Sequence, residues 1–214
     1  MNDDSITMID YGGSNLRSVQ KAIDAVGGQV VITSDPDIVR RASKLILPGV
    51  GAFGAGIDAL RARGLDIAAI EAAGQGVPLL GICLGMQFLF EVSEEMGSHS
   101  GLGILPGRVV RFPTDWKNGE GRPLKIPHMG WNRIIHDGRH PLLASVPSGA
   151  YGYFVHSYYC EPATEDFILA RTDYGDWFTS IVGKDRVYGI QFHPEKSQTV
   201  GLQILHNYVK MDGR

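Results

Sequence analysis

The chain has 214 residues, of which 43% are hydrophobic and 20% are charged, as expected for a globular protein. Its formal net charge of −3 argues against a general affinity for nucleic acid or anionic membranes, and no apolar run is long enough to cross a bilayer. Two cysteines far apart in sequence exclude a disulfide framework, and no metal-ligand spacing accompanies them. We therefore expect a cytoplasmic protein without a metal site, because free thiols persist in reducing compartments.

The first half of the chain alternates between strand and helix patterns. Short apolar runs predict strands at residues 5–10, 29–32, 44–47 and 77–82. Apolar residues at helical spacing predict a helix over 16–26 and further helical segments around Ile57, Leu60, Ile67 and Ile70. This alternation predicts a mostly parallel sheet with helices on both faces. Active sites lie at the carboxyl ends of such strands. Residues 10–15, 48–51 and 83 follow predicted strands, so we expect them to lie close together at this edge of the sheet.

The second half of the chain shows a different pattern. Short strands are predicted at 104–112, 131–135, 151–159, 167–171, 178–182 and 187–192, and apolar residues between Val200 and Tyr208 predict a last helix. We expect antiparallel strands here that extend or flank the parallel sheet. No linker composition interrupts the chain, so residues 1–214 are predicted to form one domain, with an exposed loop at 115–122.

Residues 77–91 combine a buried strand pattern with the start of a helix. Between them lies GICLG at 81–85, the spacing of a nucleophile elbow with Cys83 in place of serine. The two glycines let strand and helix approach each other while the nucleophile adopts a strained backbone. A helix is predicted over 86–91, and its amino end would stabilise a thiolate on Cys83. The alternative is a buried core cysteine beside two glycines.

A nucleophilic cysteine needs a base, and the base needs an orienting group. The last predicted strand ends in His193-Pro194-Glu195. His193 can take the thiol proton and deliver it to a leaving amine, while Glu195 can hold the imidazole and stabilise its charged form. Taken alone, His193 would more often be a strand-end residue with a solvated glutamate nearby. The pairing with the elbow at Cys83 favours the catalytic interpretation.

Attack on a carbonyl creates an oxyanion, which requires preorganised N–H donors. The backbone amide of Leu84, directly after the nucleophile, is one candidate. The amide of Val50 in PGVG at 48–51 is the second, because the flanking glycines allow this backbone to come close. The other cysteine, Cys160, lies in an apolar-aromatic strand pattern and is interpreted as inert core.

Two separated motifs, GICLGMQ at 81–87 and GIQFHPE at 189–195, resemble those of the class I (triad) glutamine amidotransferases. Three further stretches are similar to the glutaminase subunits of imidazole glycerol phosphate synthases: PGVG at 48–51, PHMGWN at 127–132 and YFVHSY at 153–158. DYGGSNLRSV at 10–19 is similar to the amino-terminal motif of those subunits, except that Ser14 replaces a second glycine. The resemblance covers almost the whole chain and implies a flavodoxin-like fold.

The resemblance implies an activity as well as a fold. The chain would hydrolyse L-glutamine to glutamate and ammonia through a thioester on Cys83, with His193 and Glu195 completing the triad. Substrate contacts are implied at Gly51, Gln87, Ser157 and Tyr158. No cofactor is implied, because thiolate, imidazole and oxyanion hole suffice for this chemistry.

The resemblance also implies a partner. Ammonia would pass to a (β/α)8-barrel cyclase in a one-to-one heterodimer of histidine biosynthesis. The glycines that flank Val50 lead us to expect that the free chain is nearly silent as a glutaminase, because the Val50 N–H would point away until the cyclase and its ligand bind. Family positions near the partner are matched by Asn15, Met129, Trp131, Tyr153 and Lys196. Aromatic and methionine side chains are favoured in interface cores, although the two aromatic residues and Met129 fit an ordinary protein core equally well.

Two other interpretations remain open on the sequence, and a third fails. The chain resembles other class I amidotransferase subunits in its triad, such as those serving anthranilate, guanylate or pyridoxal phosphate synthesis. A free-standing cysteine hydrolase would share the nucleophile but need no partner. A non-catalytic nucleotide-binding module is disfavoured, because Gly12-Gly13 lacks the full Gly-x-Gly-x-x-Gly spacing and Cys83 would be unexplained.

Overall fold

The computed structural model describes residues 5–13, 15–117 and 119–213. The departure from the family pattern at Ser14 lies outside these residues, as does Asn118 of the predicted 115–122 loop. The described part of that loop is exposed except at Trp116, which packs against Phe112. Within the described ranges, no helix has the length and apolar character needed to cross a membrane.

Helices form where small or apolar residues recur at helical spacing. In chain order the described residues form α1 (Leu16–Ala25), α2 (Pro36–Arg40), α3 (Phe53–Arg61), α4 (Leu65–Gly74), α5 (Leu84–Phe88) and α6 (Gln198–Lys210). Helix α4 buries Leu65 and three alanines, which allow close packing, whereas Ile67 and Ile70 lie on its exposed side. These two isoleucines mark the helix but not its buried face.

The strands follow the apolar runs. In chain order they are β1 (Ile6–Ile9), β2 (Val30–Thr33), β3 (Leu45–Gly49), β4 (Leu79–Cys83), β5 (Phe90–Ser93), β6 (His99–Ser100), β7 (Leu105–Arg111), β8 (His128–Ile134), β9 (Ala150–His156), β10 (Tyr158–Pro162), β11 (Ile168–Asp173), β12 (Trp177–Lys184) and β13 (Val187–Ile190). Strands β5 and β6 have no counterpart among the predicted elements.

Most strands join one large sheet, in the order β2-β1-β3-β4-β13-β12-β10-β7-β5-β6, with β11 paired to β12. The first five strands of this order are mutually parallel, whereas β13, β12, β10 and β7 pair antiparallel. Strands β8 and β9 form a separate antiparallel pair. The predicted parallel sheet with added antiparallel strands is therefore confirmed.

An apolar core lies on each face of the parallel strands. Along β1, Ile6 and Met8 belong to one core and Ile9 to the other, as the alternation of strand side chains requires. Helices α1 and α6 contribute to the first core, and α3 and α4 to the second. With both faces covered, the carboxyl ends of the strands are left as the open edge at which a site can form.

Two predicted elements were wrong. The helix predicted over 86–91 ends at Phe88, because Phe90 pairs with Leu105 in the large sheet and begins β5. The single strand predicted over 151–159 is two strands, interrupted at Ser157: β9 pairs with β8, whereas β10 pairs with β7. In both cases long-range pairing overrides the local apolar pattern.

The carboxyl end of α6 is held by a buried lysine. Lys44 is 5% exposed, and its Nζ donates hydrogen bonds to the carbonyl oxygens of Val209 and Met211. We expect Lys44→Met to leave these carbonyls without that donor and to lower the free energy of unfolding by about 2 kcal/mol. Urea denaturation measures this change. Lys21→Met, at an exposed position of α1, is the control and is expected to stay within about 0.5 kcal/mol of the parent.

Candidate active site

Cys83 lies at the junction of β4 and α5. Its backbone has φ 54° and ψ −111°, a conformation that non-glycine residues rarely adopt. A Cβ on Gly81 would lie 2.6 Å from the carbonyl oxygen of Gly85, and a Cβ on Gly85 would lie 1.8 Å from the carbonyl oxygen of Leu47. Only residues without side chains fit at these two positions, so the glycines permit the sharp turn that presents the sulfur.

His193 and Glu195 follow the neighbouring strand β13. His193 Nδ1 lies 2.8 Å from Glu195 Oε1, and the two side chains are 4% and 0% exposed. The short 3-10 helix Pro194–Lys196 brings the two side chains onto the same side of the turn. Since β13 pairs with β4, with Ile190 opposite Ile82, this segment emerges beside the strand that ends at Cys83.

Asn15, which the resemblance places near a partner, supports the Glu195 carboxylate in this structure. Its Nδ2 donates a hydrogen bond of 2.7 Å to Glu195 Oε1. Asn15 precedes α1 and has φ 82°, a left-handed conformation that asparagine tolerates better than most residues. The amide therefore helps to orient Glu195, a role that the sequence did not indicate.

The electrostatics favour a charged imidazole next to the sulfur. Burial by itself lowers the pKa of His193, but hydrogen bonds with the side chains of Cys83 and Glu195 outweigh it and raise the pKa to about 10. Burial likewise acts to raise the pKa of Glu195, but the hydrogen bond and charge of His193, with help from Asn15, leave it lowered. An imidazolium held between a carboxylate and the sulfur stabilises a thiolate nucleophile.

A cavity of about 380 Å³ opens over the sulfur. It brings together nine of the predicted site residues: Val50, Gly51, Cys83, Leu84, Gln87, Ser157, Tyr158, His193 and Lys196. The side chain of Glu195 is fully buried, and Glu195 is not among the residues of the cavity wall. The volume falls at the lower end of the range for small-molecule sites.

The two predicted oxyanion donors belong to segments that flank the sulfur. Gly49, the last residue of β3, pairs with Cys83 in the sheet, so Val50 follows directly beside the nucleophile. The hydroxyl of Tyr11 packs on this loop, 2.8 Å from where a Cβ of Gly49 would lie. Burial and the charge of Cys83 raise the pKa of Tyr11 to about 12, even though the backbone N–H of Val50 lowers it.

Gln87 is buried beneath the cavity with both amide protons engaged. Its Nε2 donates to the carbonyl oxygen of Tyr158 at 3.0 Å and to Gln191 Oε1 at 3.1 Å. Gln191 Nε2 in turn lies 3.9 Å from Cys83 Sγ. Because both amide protons are used, Gln87 Oε1 is the atom that would accept a hydrogen bond from a substrate.

Sequence reasoning missed Glu95 and Gln191. Glu95 lines the cavity, and its Oε2 accepts a hydrogen bond of 2.7 Å from the backbone N–H of Phe53. Its carboxylate is suited to a substrate ammonium group. It lies in the uninformative stretch after the elbow, where no local pattern marks it. Gln191 lies inside a recognised motif, but nothing in its spacing singles it out.

The predicted partner-facing residues lie mainly on one surface. Alternation along β8 places Met129 and Trp131 on its outer side, where they are 63% and 47% exposed, so neither is a core residue. Tyr153, opposite Trp131 on β9, is half-buried, with ring centroids 5.7 Å apart. Lys196 is exposed at the edge of the cavity.

Cys83 lies on the cavity wall, whereas Cys160 is not among the described residues that line it. Cys160 is fully buried in β10, and burial raises the pKa of its thiol well above the usual value. The interpretation of Cys160 as inert core fits this environment. No group of three or more potential metal ligands is found within residues 5–13, 15–117 and 119–213.

The chain matches one protein family over most of its length. The family model for glutamine amidotransferase class-I matches residues 7–211. Imidazole glycerol phosphate synthase subunit HisH of Syntrophotalea carbinolica is 50% identical over 206 residues, which cover 96% of this chain and 100% of that protein. The Bacillus subtilis protein of the same name is 48% identical over 206 residues, covering 96% of each.

Solved structures share the fold at low identity. The crystal structure of a glutamine amidotransferase matches with a TM-score of 0.72 at 19% identity, covering 95% of this chain and 98% of that one. The structure of PurLQS from Thermotoga maritima gives a TM-score of 0.70 at 18% identity, covering 96% of each chain. The chain therefore belongs to the class-I glutamine amidotransferases and, within them, to the family of imidazole glycerol phosphate synthase HisH subunits.

Proposed function

We propose that this chain, the glutaminase subunit of an imidazole glycerol phosphate synthase in histidine biosynthesis, hydrolyses L-glutamine through a thioester on Cys83. The observation that carries the proposal is the strained Cys83 elbow beside the buried His193–Glu195 pair, all at one cavity. Curated relatives that share about half of the sequence carry the name imidazole glycerol phosphate synthase subunit HisH, which supports the proposal.

The proposed reaction starts from the ion pair of a Cys83 thiolate and a protonated His193, which forms when the thiol proton moves to the imidazole. The thiolate attacks the γ-carbonyl carbon of glutamine, and the oxyanion that forms is stabilised by the backbone amides of Leu84 and Val50. His193 then protonates the amide nitrogen, the C–N bond breaks, and ammonia leaves a thioester on Cys83. Water, giving a proton to His193, attacks the thioester; glutamate departs as the C–S bond breaks. Glu195 holds the imidazole in position throughout.

Substrate binding is assigned to the cavity walls. Gly51 and the backbone of Ser157 and Tyr158 would hold the glutamine main chain, and Gln87 Oε1 would accept a hydrogen bond from it. The carboxylate of Glu95 would pair with the α-ammonium group. The two cysteines are free thiols, so we place this chemistry in the reducing environment of the cytoplasm.

The ammonia would pass directly to a separate (β/α)8-barrel cyclase in a one-to-one complex. That subunit would use it with a phosphoribulosyl-formimino aminoimidazole carboxamide ribonucleotide, forming imidazole glycerol phosphate and an aminoimidazole carboxamide ribotide. The exposed Met129 and Trp131, with Tyr153 beside them, are the proposed centre of the docking face, and Lys196 adds a positive charge next to the triad.

The proposed docking face can be tested through the affinity of this chain for the cyclase. We expect Trp131→Ala to weaken binding of the cyclase at least about tenfold, because a large aromatic at the centre of an interface contributes a major share of the binding energy. Isothermal titration calorimetry with the purified cyclase measures the dissociation constant. Trp177→Ala, at a residue 52% exposed on β12, is the matched control and should leave affinity unchanged. Equal affinities for the parent and Trp131→Ala would remove Trp131 from the interface.

The proposal is tested by adding the cyclase and its nucleotide to the glutaminase assay in turn. We expect the free chain to turn over glutamine at least about a hundredfold more slowly than the complete mixture. The physical reason is the Val50 peptide, which lies between two glycines and can change orientation when the partner binds. Glutamate formation and product formation should then match one to one. Full activity without the cyclase would favour a free-standing hydrolase, and stimulation by a different synthase subunit would favour another amidotransferase.

A further inference from the structure

A buried pair of histidines connects β8, which carries part of the proposed docking face, to the cavity. His128 Nδ1 lies 3.3 Å from His156 Nε2, and His156 Nδ1 lies 2.8 Å from the carbonyl oxygen of Tyr158. At the other end, Asn132 Nδ2 lies 3.2 Å from His128 Nε2. The two imidazoles are 3% and 6% exposed and sit on directly paired residues of β8 and β9. Nothing in the triad chemistry uses them.

The contacts allow one arrangement of protons. The carbonyl of Tyr158 can only accept, so His156 carries its proton on Nδ1 and presents Nε2 as an acceptor. His128 must therefore donate from Nδ1, and its own Nε2 accepts from Asn132. The Asn132 amide is fixed in the same sense, because its Nδ2 also donates to the carbonyl of Asp173 at 2.8 Å and its Oδ1 accepts from the N–H of Arg133 at 2.8 Å. The hydrogen bonds that link Asn132, His128 and His156 thus all run toward Tyr158.

The surroundings keep both imidazoles neutral. His128 stacks on Phe154 with ring centroids 4.9 Å apart, and Phe178 and Tyr174 also pack against it. Burial lowers the pKa of His128 to about 4, and burial together with the neighbouring His128 lowers that of His156 to about 3. With no proton gained near neutral pH, the direction of the hydrogen bonds is preserved under working conditions.

The inner end of the chain of hydrogen bonds reaches the substrate-binding wall. The carbonyl of Tyr158 accepts from His156 and also from Gln87, whose amide is bonded to Gln191 next to the sulfur of Cys83. We propose that His128 and His156 are positioning residues, which fix the Tyr158 carbonyl and with it the orientation of Gln87 toward glutamine. This inference rests on the proposed glutaminase function and adds two residues that act through the Tyr158 carbonyl and Gln87; of the two, His156 also lines the cavity.

The outer end of the chain of hydrogen bonds lies on β8. Along β8, His128 and Asn132 face inward, whereas Met129 and Trp131 between them face outward on the proposed docking face. The same short strand therefore carries both the surface for the cyclase and the first two groups of the hydrogen-bonded chain.

Two substitutions at one position separate this role from simple packing. His128→Phe keeps an aromatic ring in the aromatic cluster but removes the donor to His156. His128→Asn keeps an N–H near the position of Nδ1. In the complex with the cyclase, we expect His128→Phe to raise KM for glutamine about tenfold with kcat within about twofold, and His128→Asn to stay within about threefold of the parent KM. A purely structural role would lower kcat through loss of active protein and leave KM unchanged.

A second measurement does not depend on the variants folding. Nitrogen-15 spectra of the imidazoles in the parent chain should show both His128 and His156 protonated at Nδ1 alone at neutral pH. Protonation of either ring at Nε2, or an unchanged KM in folded His128→Phe, would overturn the inference. These outcomes differ from failure of the proposed function, in which the parent complex itself would form no product from glutamine. Cyclisation with added ammonium should be the same for all three proteins.

Discussion

Cys83→Ala is expected to abolish glutamine-dependent product formation in the complex with the cyclase, by about ten-thousandfold or more. The reason is that Cys83 contributes the only thiol among the described residues that line the cavity, so the thioester cannot form without it. Product formation from added ammonium should be retained, because the cyclase reaction needs only ammonia and its nucleotide. Both rates can be measured on the same preparation by following the product with glutamine or ammonium as the nitrogen source.

The chain supplies its own control for this substitution. Cys160→Ala is the same substitution at the other cysteine, which is fully buried in β10 and does not line the cavity. We expect glutamine-dependent activity within about twofold of the parent, with stability lower by about 1 kcal/mol for the lost packing. Loss of ammonium-dependent activity in Cys83→Ala would instead indicate that the substitution damages the complex.

Gly85→Ala is expected to have the largest effect on stability, lowering the free energy of unfolding by about 3 kcal/mol or more. The new Cβ would lie 1.8 Å from the carbonyl oxygen of Leu47, and this backbone atom cannot move without disturbing β3, which pairs with β4. The elbow that holds Cys83 would be displaced as well, so glutaminase activity should fall with stability.

Gly74→Ala is the matched control. Gly74 ends α4, and a Cβ there would meet no atom within 4 Å. Alanine is a better helix former than glycine, so we expect unchanged or slightly higher stability and full activity. Thermal unfolding compares the stability of the two variants, and the glutaminase assay with the cyclase and its nucleotide compares their activity. If Gly85→Ala matched Gly74→Ala in both, the close approach of β3 and the elbow would not be required.

Much of the fold could be predicted because local and long-range preferences agree in the first half of the chain. The runs at Ile6–Ile9 and Leu79–Cys83 are buried on both faces, which produces the continuous apolar pattern of parallel strands. The second half was harder to predict. Phe90 continues an apolar pattern that also fits a helix, and only its pairing with Leu105 makes it a strand. Ser157 separates two strands that belong to different sheets, a break with no local signal.

The candidate site likewise contains residues that the sequence predicts and residues that it does not. Cys83, His193 and Glu195 were predictable because their chemistry imposes residue types at fixed spacing within two short motifs. Glu95 and Asn15 were not assigned to the site, since each reaches it through tertiary packing from an unrelated segment. The histidine pair was also hidden, because the sequence gives no sign that two distant strands pair at those residues.

The most direct test of the account is labelling with a glutamine analogue that carries an electrophilic carbon in place of the amide. In the complex with the cyclase, we expect one equivalent to attach to Cys83, identified by peptide mass spectrometry, and glutaminase activity to disappear in proportion while ammonium-dependent cyclisation persists. Attachment at Cys160, or full glutaminase activity in a sample whose Cys83 is completely labelled, would contradict the assignment of Cys83 as the nucleophile.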